Sequence, residues 1–158
     1  MAAALWSAPA FRSDAWRPES VSLLLVPEAE AVVSDLIAAL HSTARLFASM
    51  ARELRECDGW SSVSSTLEVV HWTTDGHAAI SGYVEGEKAG LGAVAWSLDL
   101  IRDGEVWRVD RSLNLNADTD DEQQTVTEMD AVEYDDSRAF AGDLPGLARE
   151  LLDLPAPV

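Results

Sequence analysis

Residues 91–115 read LGAVAWSLDLIRDGEVWRVDRSLNL. Val94, Trp96, Leu98 and Leu100 alternate with Ala95, Ser97 and Asp99. After Asp103-Gly104, Trp107, Val109, Leu113 and Leu115 alternate with Arg108, Asp110, Ser112 and Asn114. An alternation of period two places one face of a strand against a core and the other against water. An aspartate-glycine pair between two such runs signals a hairpin, because a type I′ turn needs positive φ at both central residues. The stretch therefore predicts two antiparallel strands joined by a tight turn.

Working outward, Asp75-Gly76 joins residues 63–73 to residues 78–85 in the same manner, and a fifth run ends at Tyr134. Residues 86–90 and the acidic 116–121 supply the remaining loops, and residues 21–26 have the length and apolarity of an added edge strand. Consecutive strands joined by short loops pair as antiparallel neighbours. Before the sheet, Pro27 opens a helix, with Glu28 and Glu30 at the positive end of its dipole. Val33, Ile37, Leu40, Ala44, Phe47, Ala51 and Leu54 recur at spacings of four and three, and Gly59 is placed to stop the helix. A continuous helix over residues 28–56 would be roughly 43 Å long. It either crosses the sheet with an overhang or breaks near Ser42-Thr43. The stripe also approximates a heptad seam, so an overhang offers a homodimer contact.

A closing helix is expected over residues 143–154, with Leu144, Leu147, Leu151 and Leu154 on one side and Pro155 behind it. The fold class is then α+β: a single antiparallel meander of five to six strands, covered by one long N-terminal-half helix and a short C-terminal helix. Residues 1–19 read as an irregular arm and residues 20–158 as one domain.

Composition bounds the function. The net charge is −17, which argues against nucleic acid and anionic membrane surfaces and favours a basic partner. One lysine beside ten arginines, with abundant alanine, suits a high-GC bacterial genome. The one cysteine, Cys57, forms no internal disulfide and fits a reducing compartment. Neither a signal peptide nor a segment of about 20 apolar residues is apparent, so a cytoplasmic location is expected.

Residues 118–136 hold nine carboxylates and neither lysine nor arginine: Asp118, Asp120, Asp121, Glu122, Glu128, Asp130, Glu133, Asp135 and Asp136. Charge of one sign at this density repels itself, so it either serves a cationic partner or guards a sheet edge. Trp72 falls out of phase with Leu67 and Val69, which places it with Tyr83 on the outer face as an interface anchor. The acidic run lacks the glycine and terminal glutamate of a calcium loop, and His71 with His77 falls short of a four-ligand zinc site, so no metal and no cofactor is expected.

No nucleophile elbow, phosphate loop or dinucleotide fingerprint is present. His71-Trp72-Thr73 is similar to half of the paired pattern of two-histidine phosphoesterases, but its second instance, His41-Ser42-Thr43, falls within the predicted helix. A curved sheet backed by a long helix resembles the scoop of nuclear-transport-factor-2-like enzymes, which implies a small-molecule lyase, isomerase or cyclase using His71 with Asp110. The leading expectation is instead a non-enzymatic acidic binding protein. In its most concrete form this is an immunity or antitoxin-like inhibitor of a basic protein such as a nuclease toxin. A secretion chaperone is a further alternative.

Overall fold

The structure, a computed structural model, describes residues 27–115 and 124–158. The expected arm, the strand over residues 21–26 and the acidic residues Asp118, Asp120, Asp121 and Glu122 lie outside the described residues. The order is α1 (Pro27–Glu56), β1 (Trp60–Trp72), β2 (Ala78–Lys88), β3 (Gly92–Asp103), β4 (Val106–Leu115), β5 (Gln124–Tyr134) and α2 (Ser137–Leu152). The strands form one antiparallel sheet in the order β1-β2-β3-β4-β5. Both helices cover the same face, α1 over β1 and β2 and α2 over β3, β4 and β5, and they pack on each other. This is the α+β architecture expected.

The apolar phase of residues 94–100 and 107–113 forms the centre of the core. Trp96, Leu98, Leu100, Trp107, Val109 and Leu113 are all buried, together with Leu40 and Phe47 from α1. A buried tryptophan N–H needs an acceptor. Trp96 Nε1 donates to the Leu154 carbonyl at 3.0 Å, and Trp107 Nε1 donates to Ser137 Oγ at 3.2 Å. These two bonds pin the two ends of α2 to the sheet. Between them the Phe140 ring stacks on Trp107 with centroids 4.4 Å apart.

The long helix is unbroken over 30 residues. A threonine inside a helix tempts the backbone away, but Thr43 Oγ1 donates to the carbonyl of Ala39 at 2.9 Å and so is satisfied without a break. The buried stripe is Leu36, Ala39, Leu40, Thr43, Phe47, Ala51 and Leu54, with Val33, Ile37 and Ala44 only half buried. The stripe is broader than one seam, because α1 packs on α2 as well as on β1 and β2. Residues 31–56 are also long and apolar enough by composition to cross a membrane, contrary to the expectation that no segment is. In this fold their apolar side is spent on the sheet and α2.

The closing helix starts six residues earlier than expected, at Ser137, and contains Pro145. Gly142, Pro145 and Gly146 argue for a later start, but the stripe Phe140, Ala141, Leu144, Ala148 and Leu151 is buried, and that burial outweighs local propensity. Asp136 caps it, its carboxylate accepting the Arg138 N–H at 2.9 Å.

Both hairpins differ in detail from the tight I′ turn expected. Asp103 pairs with Val106, so Gly104 and Glu105 are the central residues, and only Gly104 has positive φ, at 62°. That is the pattern of a type II′ turn, which asks for glycine at the first central position alone. In the other hairpin Trp72 pairs with Ala78, leaving residues 73–77 as a longer loop closed by the Thr73 N–H to the His77 carbonyl at 2.8 Å. Within it the Thr73 hydroxyl donates to the Asp75 carboxylate, which holds that carboxyl below its usual range.

Candidate functional site

The strand register defines what stands on the sheet face opposite the helices. Its rows can be followed across the strands: Glu68, Ser81, Asp99 and Asp110 in one, and Thr66, Tyr83, Ser97, Ser112 and Glu128 in the next. Ser64, Glu85, Ala95 and Asn114 follow, then Ser61, Glu87 and Ala93. On the other side of the aspartate row lie His71, Ala79, Ile101, Arg108 and Glu133. No described element packs on this face.

Among the described residues eight carboxylates therefore share it: Glu68, Glu85, Glu87, Asp99, Asp103, Asp110, Glu128 and Glu133. Among the described residues Arg108 is the one cation there. Its Nε donates to Asp110 at 2.9 Å, which raises the guanidinium above its already high value. The other partners are hydroxyls. Ser81 donates to Asp99 at 2.8 Å, Ser64 to Glu85 at 3.0 Å and Ser61 to Glu87 at 3.3 Å. A hydroxyl orients a carboxylate and leaves its charge in place. Asp99 and Asp110 are direct cross-strand partners, an arrangement that costs stability because like charges face each other.

A hydrogen-bonded patch stiffens the face beside this row. Asn114, 4 % exposed, donates to Ser97 Oγ at 3.3 Å and Ser112 Oγ at 3.0 Å, and accepts from Thr125 Oγ1 at 3.2 Å. At the far end a cavity of about 110 Å³ is lined by Ser62, Glu85, Gly86, Glu87 and Ala93. Ser62 occupies the left-handed region at φ 52° inside a β1 bulge.

All four register shifts place the extra residue on an edge strand. β1 has one between Ser61 and Ser64 and one at Val70, and β5 has one near Val126 and one near Asp130. Bulges disrupt the regular ladder an incoming strand would need. They also decide where the expected site residues point. Glu128 and Glu133 join the outer face, whereas Asp130 sits in the bulge, where its carbonyl accepts from Arg111 Nη2 at 3.4 Å. Glu128 and Asp130 therefore do not form the simple alternating pair the sequence suggests. Asp135 is exposed in the turn that follows, and Asp136 is occupied with capping α2.

The bulge at Val70 also moves Trp72. It pairs with Ala78, a core residue, and its ring lies 6.3 Å from that of buried Trp107. Trp72 is thus on the helix side, 46 % exposed, while Tyr83 stands on the outer face as expected. His71 and Asp110 lie in different rows on β1 and β4, with two strands between them, about 14 Å at the usual spacing. His77 is engaged with Asp103, its Nδ1 3.2 Å from the carboxylate. Among the described residues no three His, Cys, Asp or Glu side chains converge as a metal site.

Arg111 is the residue that sequence reading passed over. It occupies the core phase of β4, is 5 % exposed, and donates to Glu150 at 2.7 Å and to the Leu147 carbonyl at 3.4 Å. It ties α2 to the β5 bulge and takes no part in the outer face. No family model matches this chain, and no curated relative or solved structure does.

Proposed function

We propose that this chain is a non-enzymatic acidic binding protein whose sheet face opposite the helices docks a basic protein. Its most concrete form is an immunity or antitoxin-like inhibitor of a cationic toxin such as a nuclease. Carboxylates held on a rigid face would occupy the surface where such an enzyme receives phosphates.

The observation that carries this reading is the position of the charge. Edge protection accounts for acidic residues on β5, but Glu85, Glu87, Asp99 and Asp110 stand on β2, β3 and β4, which have neighbours on both sides. Solubility accounts for charge anywhere on a surface. It gives no reason to set Asp99 opposite Asp110 and to gather carboxylates on interior strands around a single arginine, Arg108, which is bonded to Asp110 alone. A complementary partner offsets their repulsion on binding and associates faster for it.

The test is capture from a lysate of the source organism with the tagged full chain, followed by assay of the captured protein's nuclease activity. Wild type should retain a basic protein and inhibit it. Glu85→Gln/Asp99→Asn/Glu128→Gln should lose both effects. An equal neutralisation on the helix end, Glu53→Gln/Glu56→Gln/Asp58→Asn, should keep them. Equal retention by both variants would reject the face. A partner held but left fully active would favour an escort such as a secretion chaperone over an inhibitor.

A further inference from the structure

We infer that the outer face receives a basic amphipathic helix of the partner, laid across the strands with its apolar side on Ile101 and Val106 and its cationic side over the Asp99–Asp110 row. This rests on the docking reading above and specifies what docks.

Three observations converge on it. First, the face is not uniformly acidic. Ile101 is 42 % exposed and Val106 40 % exposed, and the register sets them diagonally on β3 and β4, with Ala79 beside Ile101 on β2. The Ile101 row, which continues through Arg108 to Glu133, adjoins the row of Glu68, Asp99 and Asp110, so a small apolar patch of Ala79, Ile101 and Val106 borders the anionic row. Rows on a sheet face are two residues, about 7 Å, apart, and a helix with side chains is about 10–12 Å wide. One helix therefore spans the Ile101 and Asp99 rows at once, apolar flank toward the patch and basic flank over the carboxylates.

Second, the alternative of an added strand is obstructed on both sides. Each edge strand carries two bulges, so neither offers a long regular ladder to a partner. Third, the charge is complementary only to a cationic surface, because Arg108 is committed to Asp110. The patch and the carboxylates then divide the work. Carboxylates at the rim raise the association rate, and the desolvated aliphatic pair slows dissociation.

The experiment uses the full chain and two fluorescein-labelled lysine–leucine peptides of identical composition, about 18 residues long. One has leucines at helical spacing and the other alternates them with lysine at strand spacing. The helical isomer should bind about tenfold or more tightly, and should gain helicity by circular dichroism on binding. Ile101→Ser/Val106→Ser should erase the preference between isomers while leaving the salt dependence as it was. Asp99→Asn/Asp110→Asn should weaken both isomers alike and flatten the salt dependence. Thermal melts of each variant check that the fold persists.

Equal binding of the two isomers, still sensitive to Asp99→Asn/Asp110→Asn, overturns the helix and leaves acidic docking standing. Binding unchanged by either outer-face pair, but reduced by Glu53→Gln/Glu56→Gln on α1, overturns both.

Discussion

Phe47 of α1 packs directly over Gly82 of the sheet, and replacing that glycine with alanine tests the packing. It lies mid-strand in β2, opposite Leu67 and Leu98. A Cβ built there would sit 2.8 Å from Phe47 Cε2 and 2.7 Å from Leu67 Cδ1. Comfortable carbon–carbon separations are about 3.5–4.0 Å, so each contact overlaps by roughly 0.7 Å or more. Phe47 is 1 % exposed and Leu67 2 % exposed, so neither can swing into open space. Overpacking of this kind costs about 1–3 kcal/mol. Against it, glycine to alanine within a strand returns about 0.5–1 kcal/mol of backbone entropy. The clash wins. Gly82→Ala should lose about 1–2 kcal/mol, lowering Tm by roughly 3–6 °C for a chain of this size. Thermal and urea melts followed by far-UV circular dichroism and tryptophan fluorescence read it out. The cost should shrink by at least about 0.5 kcal/mol in a Phe47→Leu background, since the two sites share one contact. A rise in Tm on Gly82→Ala would refute the placement of Phe47 over Gly82, because only the entropic gain would then remain.

Glu128→Gln/Glu133→Gln should slow association with a basic partner and flatten its salt dependence while the melt stays unchanged, measured by stopped-flow at two salt concentrations. In a Tyr83→Phe background the tyrosinate absorbance reports Tyr134 alone, and its midpoint should lie above the ordinary phenol value near 10. Burial comes first among the causes, and the hydrogen bond to Asp143 at 3.1 Å adds to it. A raised pKa contributes stability below the unfolded value that is lost as pH climbs through the folded one, so Tyr134→Phe should flatten the decline of stability above about pH 10. Asp136→Ala should cost about 1 kcal/mol in urea melts through loss of the α2 cap, whereas Asp135→Ala next to it should change little. Melts with EDTA, calcium and zinc should coincide within about a degree or two, since a metal held by the native state would raise Tm.

What the sequence determined by itself was everything with a local period. The alternation from Val94 to Leu115 assigned two central strands and chose their core phase, and Trp96, Leu98, Leu100, Trp107 and Val109 are buried accordingly. The spacing of Leu40, Phe47, Ala51 and Leu54 assigned a helix and its buried side. Such patterns are legible because period two and period 3.6 are properties of neighbouring residues alone.

The tertiary structure decided whatever depends on one strand meeting another. A single extra residue at Val70 reverses the phase of Trp72, and another near Asp130 takes that carboxylate out of line with Glu128. Neither bulge has a signature in composition. Gly142 and Pro145 interrupt the helical pattern just after Phe140, so the early start of α2 at Ser137 emerged only from the contact of Phe140 with Trp107. The acidic surface makes the same point. Along the chain the density of carboxylates draws attention to residues 118–136, yet the face gathers Glu68, Glu85, Glu87, Asp99 and Asp110 from strands far apart in sequence. Their wet phase was visible in the alternation, but that Asp99 stands opposite Asp110 is a fact of register, and register is set by turns, bulges and the packing of the opposite face.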